Sequence, residues 1–582
     1  MKITTGSTTA TLPDAASAPP AGHGQAEAGG PTGLRRRRPE WLWAALAVAV
    51  PVTATVLLRL DRLVVNSDSV AQQSVVGTWL RVGHDVTYVP QDTWLLKLPL
   101  YLAVEQLPLS PRARLALESV ALLLAGLGLL GLAVRAVLRQ ARTAGPSARW
   151  PDVALPLAWL GTLGGVLGQL WATMPNYRNV ELGWVFGLLA ALGAVASGRL
   201  PRWLFGGRGV RGARGIAVLA GGVAAAALLW VDDPYFAYLL GAPLVPGALV
   251  WALRRSRGGG RRGLAAAGLV AASLALAAAL RALLPLAGVR VVLDDERTPL
   301  SPTLIADHLR LLWPALAVHL GLPRSAEPGA SIGSASGIAG VAALGILVAG
   351  VVASGYLARR GWQAGSLPLT TIALGWPVVV AGMVCHPAAL DLQSGRYLVL
   401  AVVELAVTLG LAAAFLRPRR PWLAGAIVGA LAVATVANGA AVVLDRGPRP
   451  PETAAQDATA TLLRTMGGGD GRVAPIRGYA EFWDADLYTW LTGGDVQLSE
   501  VQCAGHRLRY RYWLTDTARS RVRSRHAVVL WNEASPKAGG CSVADLVAQL
   551  GAPSRTVPAP AGGVVLDFPG EAARRIDPAT LS

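Results

Sequence analysis

Two acidic residues that follow the first apolar segment are candidates for acid–base chemistry. Asp68 stands in the run Asn66-Ser67-Asp68-Ser69, and Asp92 precedes an apolar stretch that begins at Trp94. A carboxylate held at a membrane surface loses hydration, a cost usually tolerated where the group has a function. We therefore interpret Asp68 as a candidate general base. The structural alternatives are a helix cap or a solvated loop residue.

Two arginines next to later apolar segments are candidate ligands of a phosphate group. Arg178 stands shortly before one such segment, and Arg396 begins another. A guanidinium group matches the geometry of a phosphate and can donate two hydrogen bonds to it. The alternative for each is an arginine that snorkels to the membrane surface or pairs with a nearby acid.

Four further acids, Asp92, Glu181, Asp232 and Asp233, lie near the ends of apolar segments. They suit contact with an acceptor molecule or with a divalent cation, which prefers oxygen ligands. Glu181 begins a segment, where a carboxylate also complements the dipole of a helix, and Asp232 and Asp233 equally suit a helix cap. The sequence leaves both the identity of a metal and the need for one open.

The composition indicates a membrane protein with many spans. The chain has 582 residues, of which 53% are hydrophobic and 15% charged, and its mean hydropathy is +0.44. The net charge of +18 reflects arginines concentrated in short loops between apolar segments. Such loops are typical of the cytoplasmic face of membrane proteins, so the charge does not indicate nucleic acid as a partner.

Apolar segments of about 17 to 24 residues recur along the chain and predict about eleven membrane spans. Arginine-rich loops alternate with loops that hold most of the acids, which places the N-terminus in the cytoplasm and the C-terminus outside. We expect a multi-pass plasma-membrane protein with a disordered cytoplasmic tail (1–38), a transmembrane domain (39–444) and a soluble extracytoplasmic domain (445–582). Two long extracytoplasmic loops span 60–114 and 289–336. The predicted fold is all-α and polytopic, followed by a C-terminal α/β domain.

Shorter elements are predicted outside the spans. The stretches Trp94–Leu107 and Pro302–Leu322 carry apolar residues at helical spacing and predict two helices that lie in the membrane interface. In the C-terminal domain, the apolar runs Ala527–Trp531 and Gly563–Phe568 predict strands, and Ser542–Leu550 predicts a helix.

Three features of the C-terminal domain have more than one interpretation. Cys503 and Cys541 can form a disulfide in an oxidising compartment, worth about 2–4 kcal/mol, but the sequence does not fix their geometry. Four arginines at alternate positions from 519 to 525 would share one face of a strand, which we expect to be solvated rather than bound to anionic lipid or glycan. The aromatic residues between Tyr479 and Trp490 suit sugar stacking or, as we expect, the domain core.

Several segments resemble motifs of the GT-C superfamily of membrane glycosyltransferases. The matching segments are Asn66-Ser67-Asp68, Asp92 to Pro99, Tyr177 to Glu181, Gly395-Arg396-Tyr397 and Gly478 to Trp483. The order of a first span, a long loop with an early Asp, further spans and an extracytoplasmic domain also resembles the protein mannosyltransferase-like and aminoarabinose transferase-like members. Many members carry paired acids, Asp-Glu or Asp-x-Asp, in the first loop, whereas this chain has Asn66-Ser67-Asp68-Ser69, and the lack of a neighbouring acid favours a base over a metal ligand.

The resemblance implies an inverting hexosyl- or pentosyltransferase that moves a sugar from a polyprenyl-phosphate donor to a glycan, lipid or protein acceptor of the cell envelope. Asp68 would take the proton of the acceptor hydroxyl, and Arg178 and Arg396 would hold the departing phosphate. Two other classes stay open. A non-catalytic protein of envelope assembly would not bring the charged residues together, and a transporter or flippase of lipid-linked solutes would place polar residues near the middle of the membrane.

Overall fold

A computed structural model describes most of the chain from Glu40 onward, and the residues from Trp41 to Ser582 form one compact unit. The predicted N-terminal tail, residues 1–38, lies outside the described residues. The described residues are 40–60, 64–65, 67–89, 94–141, 150–163, 179–197, 210–232, 259–292, 300–319, 335–364, 366–385, 398–444, 450–466, 475–522, 526–535, 540–569 and 575–576.

Helices dominate the part of the chain before residue 445. In chain order the helices are α1 (Glu40–Leu60), α2 (Ser67–Arg81), α3 (Leu98–Glu105), α4 (Pro111–Ala141), α5 (Pro151–Leu163), α6 (Asn179–Ser197), α7 (Val210–Asp232), α8 (Gly259–Leu283), α9 (Pro302–His319), α10 (Ala335–Ala364), α11 (Leu367–Val384), α12 (Val399–Leu416), α13 (Pro421–Leu444), α14 (Pro451–Met466), α15 (Phe482–Leu491) and α16 (Val543–Leu550).

Six of the described helices contain stretches long and apolar enough to cross a membrane, which confirms the predicted polytopic membrane protein. These stretches are Glu40–Leu58, Pro111–Gln140, Gly268–Ala287, Gly337–Ala364, Leu367–Val384 and Pro421–Leu444, with shorter apolar stretches at Gly183–Leu192, Leu219–Asp232 and Leu400–Leu416. The predicted count of about eleven spans also depends on the segments 153–173 and 236–253, which lie partly or wholly outside the described residues.

Glycines let some of the membrane helices approach closely. At Gly183 of α6, an added Cβ atom would lie 2.7 Å from the backbone oxygen of Gly126 in α4. At Gly161 of α5, it would overlap the side chain of Val52 in α1. Because lipid tails are as apolar as the helix surfaces, close packing of this kind is a main source of helix association in a membrane. This packing fixes the positions of the helix ends and therefore the positions of the loop residues next to them.

The C-terminal region (residues 451–576) is built on a mixed six-stranded sheet, as the predicted α/β domain requires. Its strands are β3 (Ile476–Ala480), β4 (Val496–Ala504), β5 (Arg507–Tyr510), β7 (His526–Trp531), β8 (Arg555–Pro558) and β9 (Val564–Pro569), in the order β5-β4-β3-β7-β9-β8. Strand β3 pairs in parallel with β4 and β7, and the remaining pairs are antiparallel. A disulfide joins Cys503 of β4 to Cys541, with their Cα atoms 5.7 Å apart.

A second sheet, which the sequence did not predict, joins the two long loops to the C-terminal region. Strand β1 (Thr87–Val89) lies in the loop 60–114, β2 (Val289–Val291) in the loop 289–336, and β6 (Thr515–Asp516) in the C-terminal region. Strand β1 pairs in parallel with β2 and antiparallel with β6. We call the side of the helix bundle that carries these loops the loop side.

The structure corrects two expectations about shorter elements. The helix predicted over Trp94–Leu107 is confined to α3, and Trp94 and Tyr101 are buried among residues of α2 and the C-terminal region instead of lying free at an interface. The arginines predicted on a strand begin in a 3₁₀ helix, Thr517–Arg521, and Arg519 is completely buried rather than solvated. Helix α9 matches its prediction closely, and Tyr479 and Trp490 belong to the core, as expected.

Candidate functional site

A tight turn at the start of α3 directs a lysine into the protein on the loop side. The backbone N–H groups of Lys97 and Leu98 donate to the carbonyl oxygen of Trp94, at 3.1 and 3.2 Å. Trp94 has a φ angle of 46°, a left-handed conformation that is uncommon for a bulky residue. Its indole ring is 3% exposed and packs 6.4 Å from the ring of Tyr101, centroid to centroid. Buried packing therefore holds an otherwise unfavourable turn.

Lys97 forms a buried ion pair with the predicted site residue Glu181. The Nζ atom of Lys97 lies 2.7 Å from Oε1 of Glu181, and each side chain is only 2% exposed. Glu181 stands in the first turn of α6, where its charge is also favourable to the helix dipole. Its second oxygen, Oε2, is buried and has no hydrogen-bond partner within the described part of the chain. A buried pair of this kind costs desolvation energy, so it contributes little to stability by itself.

Asp232, a second predicted residue, meets the same turn from another helix. It is the last residue of α7, is 2% exposed and accepts a hydrogen bond of 3.1 Å from the backbone N–H of Leu96. The neighbouring carbonyl of Val231 accepts hydrogen bonds from the guanidinium group of Arg281 in α8. The structure thus brings Glu181 and Asp232 to one place and adds two cations, Lys97 and Arg281.

Helix α2, which begins at Ser67 and carries Asp68 as its second residue, packs against this turn. The hydroxyl of Tyr101 donates to Oε1 of Gln72 at 2.9 Å, and the rings of Trp79 and Trp94 lie 5.8 Å apart. Asp68 precedes Gln72 by about one helical turn. The helix that carries the candidate base therefore contacts the segment that carries Lys97.

The start of α2 is also fixed to the C-terminal region. The hydroxyl of Ser67 donates to the carbonyl oxygen of Trp483 at 2.6 Å and accepts from the backbone N–H of Leu487 at 3.2 Å. Between these contacts on α15 lies Asp484, a half-buried carboxyl group. Burial, with a further contribution from the charge of Glu481, raises the pKa of Asp484 to about 7. A carboxyl with such a pKa can exchange protons near neutral pH.

A buried charge network fixes the middle of α2 to the same region. The guanidinium of Arg519 donates to Oδ1 of Asp486 at 2.6 Å, to Oγ of Ser74 at 2.8 Å and to Oγ1 of Thr78 at 2.9 Å. Burial and the adjacent charge of Asp486 raise the pKa of the neighbouring Glu500 well above its usual range. Helix α2 is therefore attached at its start and along its length.

The remaining predicted residues fall outside what the structure describes. Asp92, Arg178, Asp233 and Arg396 lie outside the described residues, and for Asp68 only the backbone is described. Within the described residues, no group of three or more His, Cys, Asp or Glu could hold a metal ion. One carboxylate oxygen of Glu181 contacts Lys97, and one of Asp232 accepts from the backbone N–H of Leu96.

Lys97 and Arg519 are the two residues that the interpretation of the sequence missed. A signal for Lys97 was present, because only three of the 53 basic residues of the chain are lysines and the other two lie far from any apolar segment. A compact ammonium group in a chain that otherwise uses arginine indicates a specific environment. No comparable signal marks Arg519, which shares its alternate spacing with three other arginines.

Comparisons with known proteins found similar solved structures. The chain is similar to ArnT from Cupriavidus metallidurans in the apo state, with 14% identity and a TM-score of 0.47, and bound to undecaprenyl phosphate, with 14% identity and a TM-score of 0.48. Each similarity covers 93% of this chain and 99% of the other. The oligosaccharyltransferase of Archaeoglobus fulgidus tethered with an acceptor peptide is similar at 11% identity and a TM-score of 0.41, over 92% of this chain and 77% of that one. No family model and no curated protein sequence matches the chain.

Proposed function

We propose that the chain is an inverting glycosyltransferase that moves a sugar from a polyprenyl-phosphate donor to an extracytoplasmic acceptor of the cell envelope. One observation carries the proposal: Lys97, Glu181 and Asp232 lie together at the ends of helices on the loop side, next to the helix that begins at Ser67-Asp68. Charged groups buried at the border of a membrane are costly and usually functional. In this proposal the loop side faces out of the cytoplasm and the N-terminus lies within it.

The proposed reaction needs one base and several cations. The acceptor hydroxyl attacks the anomeric carbon of the sugar, the bond from that carbon to the phosphate oxygen breaks, and the configuration of the carbon inverts. Asp68 takes the hydroxyl proton, and the polyprenyl phosphate leaves with the electron pair of the broken bond. A positioned base of this kind contributes about 10²–10⁴-fold to the rate.

Lys97 joins Arg178 and Arg396 in this proposal as a cation for the departing phosphate. Its pairing with Glu181 holds the ammonium group in place while no donor is bound. When a phosphate binds, Lys97 can turn to it, since an ammonium group on a flexible stem has three donors. Asp92, Asp232 and Asp233 are proposed to position the turn and the acceptor. Whether a divalent cation assists them is left outside the mechanism.

The decisive experiment replaces Asp68 with Asn in the full chain and measures the release of polyprenyl phosphate and the transfer of labelled sugar from polyprenyl-phosphate sugar donors. We expect transfer to fall by about 10²–10⁴-fold while the protein stays folded and still binds donor. Asp307→Asn is the matched control, because Asp307 is 65% exposed on α9 and pairs only with the nearby Arg310 in the described structure. An Asp68→Asn protein that transfers sugar as fast as the Asp307→Asn protein would exclude Asp68 as the base.

A further inference from the structure

A patch of polar groups, none of which takes part in the proposed reaction, lies between two membrane helices. It consists of Glu404 and Thr408 of α12 and Thr371 of α11, which we call the α11–α12 polar patch. Both helices are otherwise composed almost entirely of apolar and small residues. An ionisable residue within a membrane segment indicates a functional site by default, because it is expensive to keep there.

The helix geometry brings the three side chains to adjacent levels of the membrane. Met383 and Leu398 pack together where α11 ends and α12 begins. Two turns further into the bundle, a Cβ atom on Gly375 would overlap both carboxylate oxygens of Glu404. The helices are therefore antiparallel, and one more turn in the same direction leads to Thr371 on α11 and Thr408 on α12. The missing side chain at Gly375 leaves room for the carboxyl group.

All three side chains in this patch have a polar atom that lacks a hydrogen-bond partner in the described structure. The atoms are Oε2 of Glu404, Oγ1 of Thr371 and Oγ1 of Thr408. Thr408 is completely buried, and Thr371 is 3% exposed. Buried polar groups are normally paired, so three adjacent exceptions require an explanation.

Other threonines in membrane helices of this chain show the usual alternative. The hydroxyl of Thr162 donates to the carbonyl of Ala158, and that of Thr435 donates to the carbonyl of Leu431, each four residues earlier. This bond to the preceding turn is available to every threonine in a helix. Neither Thr371 nor Thr408 makes it, so their oxygen lone pairs and hydroxyl hydrogens stay available to another species.

The negative charge of Glu404 indicates which species binds to the patch. Within the described chain, Glu404 has no basic residue within ion-pair distance, and a bare carboxylate in a low-dielectric interior is strongly unfavourable. One positive charge neutralises it, whereas a divalent cation would leave an excess positive charge in the membrane. We propose that the α11–α12 polar patch binds a monovalent cation, which is either a proton on Glu404 or a sodium ion held by Glu404 and the two threonine hydroxyls. Hard oxygen ligands suit both.

Carbodiimide labelling of the purified full chain tests this proposal. The O–H of a protonated carboxyl adds across one C=N bond of dicyclohexylcarbodiimide, and the product rearranges to a stable N-acylurea without loss of any group. We expect labelling at Glu404, located by peptide mass spectrometry, in a sodium-free choline buffer. If the cation is a proton, labelling falls as the pH rises and sodium chloride has no effect.

If the cation is sodium, sodium chloride suppresses the labelling at constant pH and ionic strength and raises the melting temperature. Thr408→Val then weakens this protection about tenfold, because one ligand is lost without a change of shape. With a proton, Thr408→Val leaves the labelling of Glu404 almost unchanged. Thr408→Val and sodium chloride together therefore distinguish a bound proton from a bound sodium ion.

Two further variants serve as controls for the labelling and melting experiments. Glu404→Gln keeps the shape of the side chain, abolishes labelling at this position and removes the dependence of melting on sodium and pH. Glu118→Gln is the control, because Glu118 is a buried carboxyl of another membrane helix, α4, that already accepts a hydrogen bond of 3.0 Å from Gln73; it leaves the behaviour of Glu404 intact. The proposal is overturned if Glu404 never reacts and the wild-type protein melts like Glu404→Gln at every pH and sodium concentration. Sugar transfer is not measured, so the outcome is independent of the proposed reaction.

Discussion

Two buried ion pairs on the loop side differ in the elements that they join. Arg519 donates from all three of its guanidinium nitrogens, to Asp486, Ser74 and Thr78, and so connects α2 to the C-terminal region. In the other pair, Lys97 before α3 binds Glu181 of α6. One carboxylate oxygen of each pair, Oδ2 of Asp486 and Oε2 of Glu181, has no hydrogen-bond partner within the described residues, so the difference lies in the three contacts of the guanidinium group, which rigidify the elements that they join.

The positions of the two pairs agree with this distinction. Arg519 joins α2 to the C-terminal region and is completely buried. Lys97 lies on the loop side, where α6 and α7 meet the turn that precedes α3. We infer that the first pair is a joint that positions α2 and the second is a part of the site. Substituting the cation of each pair in turn tests this inference.

The largest effect on stability is expected from Arg519→Ala. It leaves Asp486 and two hydroxyls buried without their donor, and breaking a buried ion pair in this way typically costs about 3–5 kcal/mol. Thermal and denaturant unfolding of the purified chain, followed through the tryptophans around α2 and α15, would measure the loss.

The control for Arg519→Ala is Arg521→Ala, two residues away. Arg521 lies 2.9 Å from Asp85, but its side chain is 70% exposed. Exposed pairs contribute about 0–1 kcal/mol, so this variant should unfold almost like the wild type. Equal losses for the two variants would show that the Arg519 network is not the joint between α2 and the C-terminal region.

A smaller loss of stability, about 1–3 kcal/mol, is expected from Lys97→Met, because a single carboxyl group loses its cation, whereas Arg519→Ala deprives a carboxyl group and two hydroxyls of their donor. Adding Glu181→Gln removes the unpaired charge, so the double variant should recover most of the stability. It should not recover sugar transfer if Lys97 holds the donor phosphate. A double variant that is both stable and fully active would make the Lys97–Glu181 pair structural only.

The sequence predicted which residues belong to the site better than it predicted where they lie relative to one another. Glu181 and Asp232 stand out because acids are rare at the ends of apolar segments, but nothing local indicates that both approach the turn at Trp94. Lys97 was missed because it sits in an apolar stretch that suits an interfacial helix. The burial of such residues is decided by long-range packing, here by glycine contacts between α4 and α6, which hydrophobic periodicity does not encode.

The second sheet was missed for a different reason. Strands β1 and β2 have three residues each and β6 has two, which is too short for an alternating pattern to be distinguished from chance. By contrast, β7 and β9 have six residues each and were predicted nearly to their ends. The joints between regions are therefore the least predictable part of this chain, although they decide where α2 and Asp68 lie.

The smallest effect is expected at a third charged contact, which joins both loops to the C-terminal region. The two ring nitrogens of His84 lie 2.9 Å from Oδ2 of Asp516 and 3.0 Å from the carbonyl oxygen of Ala287. Both partners accept, so only the doubly protonated ring makes both bonds. Burial lowers the pKa of His84, but the bonds to Ala287 and Asp516 and the charges of Asp516 and Asp85 outweigh it and raise the pKa.

The raised pKa fixes the direction of the pH dependence. The unfolded chain has a histidine pKa of about 6.5, so the contribution of His84 is complete below that pH and is lost as the pH rises through the higher folded value. Burial raises the pKa of Asp516, but hydrogen bonds from Thr87, Ala518, His84 and Trp79 outweigh it and lower the pKa, so the contribution of Asp516 is lost only as the pH falls through that lowered value. The protection of the Thr87 amide, which donates to Gly288, against hydrogen exchange should therefore be greatest in mildly acidic solution and smaller above neutrality, once the intrinsic exchange rate at each pH is divided out.

The size of this change separates a pairing effect from a general loss of structure. His84 is 38% exposed, which limits the contribution to about 1 kcal/mol or less, or roughly fivefold in the exchange rate of Thr87. His84→Gln should remove the pH dependence, while His506→Gln, at a 76% exposed position beside Asp545, should preserve it. If the protection factor of the Thr87 amide stays independent of pH in the wild type while α2 remains protected, the second sheet is held by its backbone pairing alone. Of the two charged contacts with the C-terminal region discussed above, Arg519 would then be the one that stabilises the connection. It would differ from the Lys97 site in having a structural role.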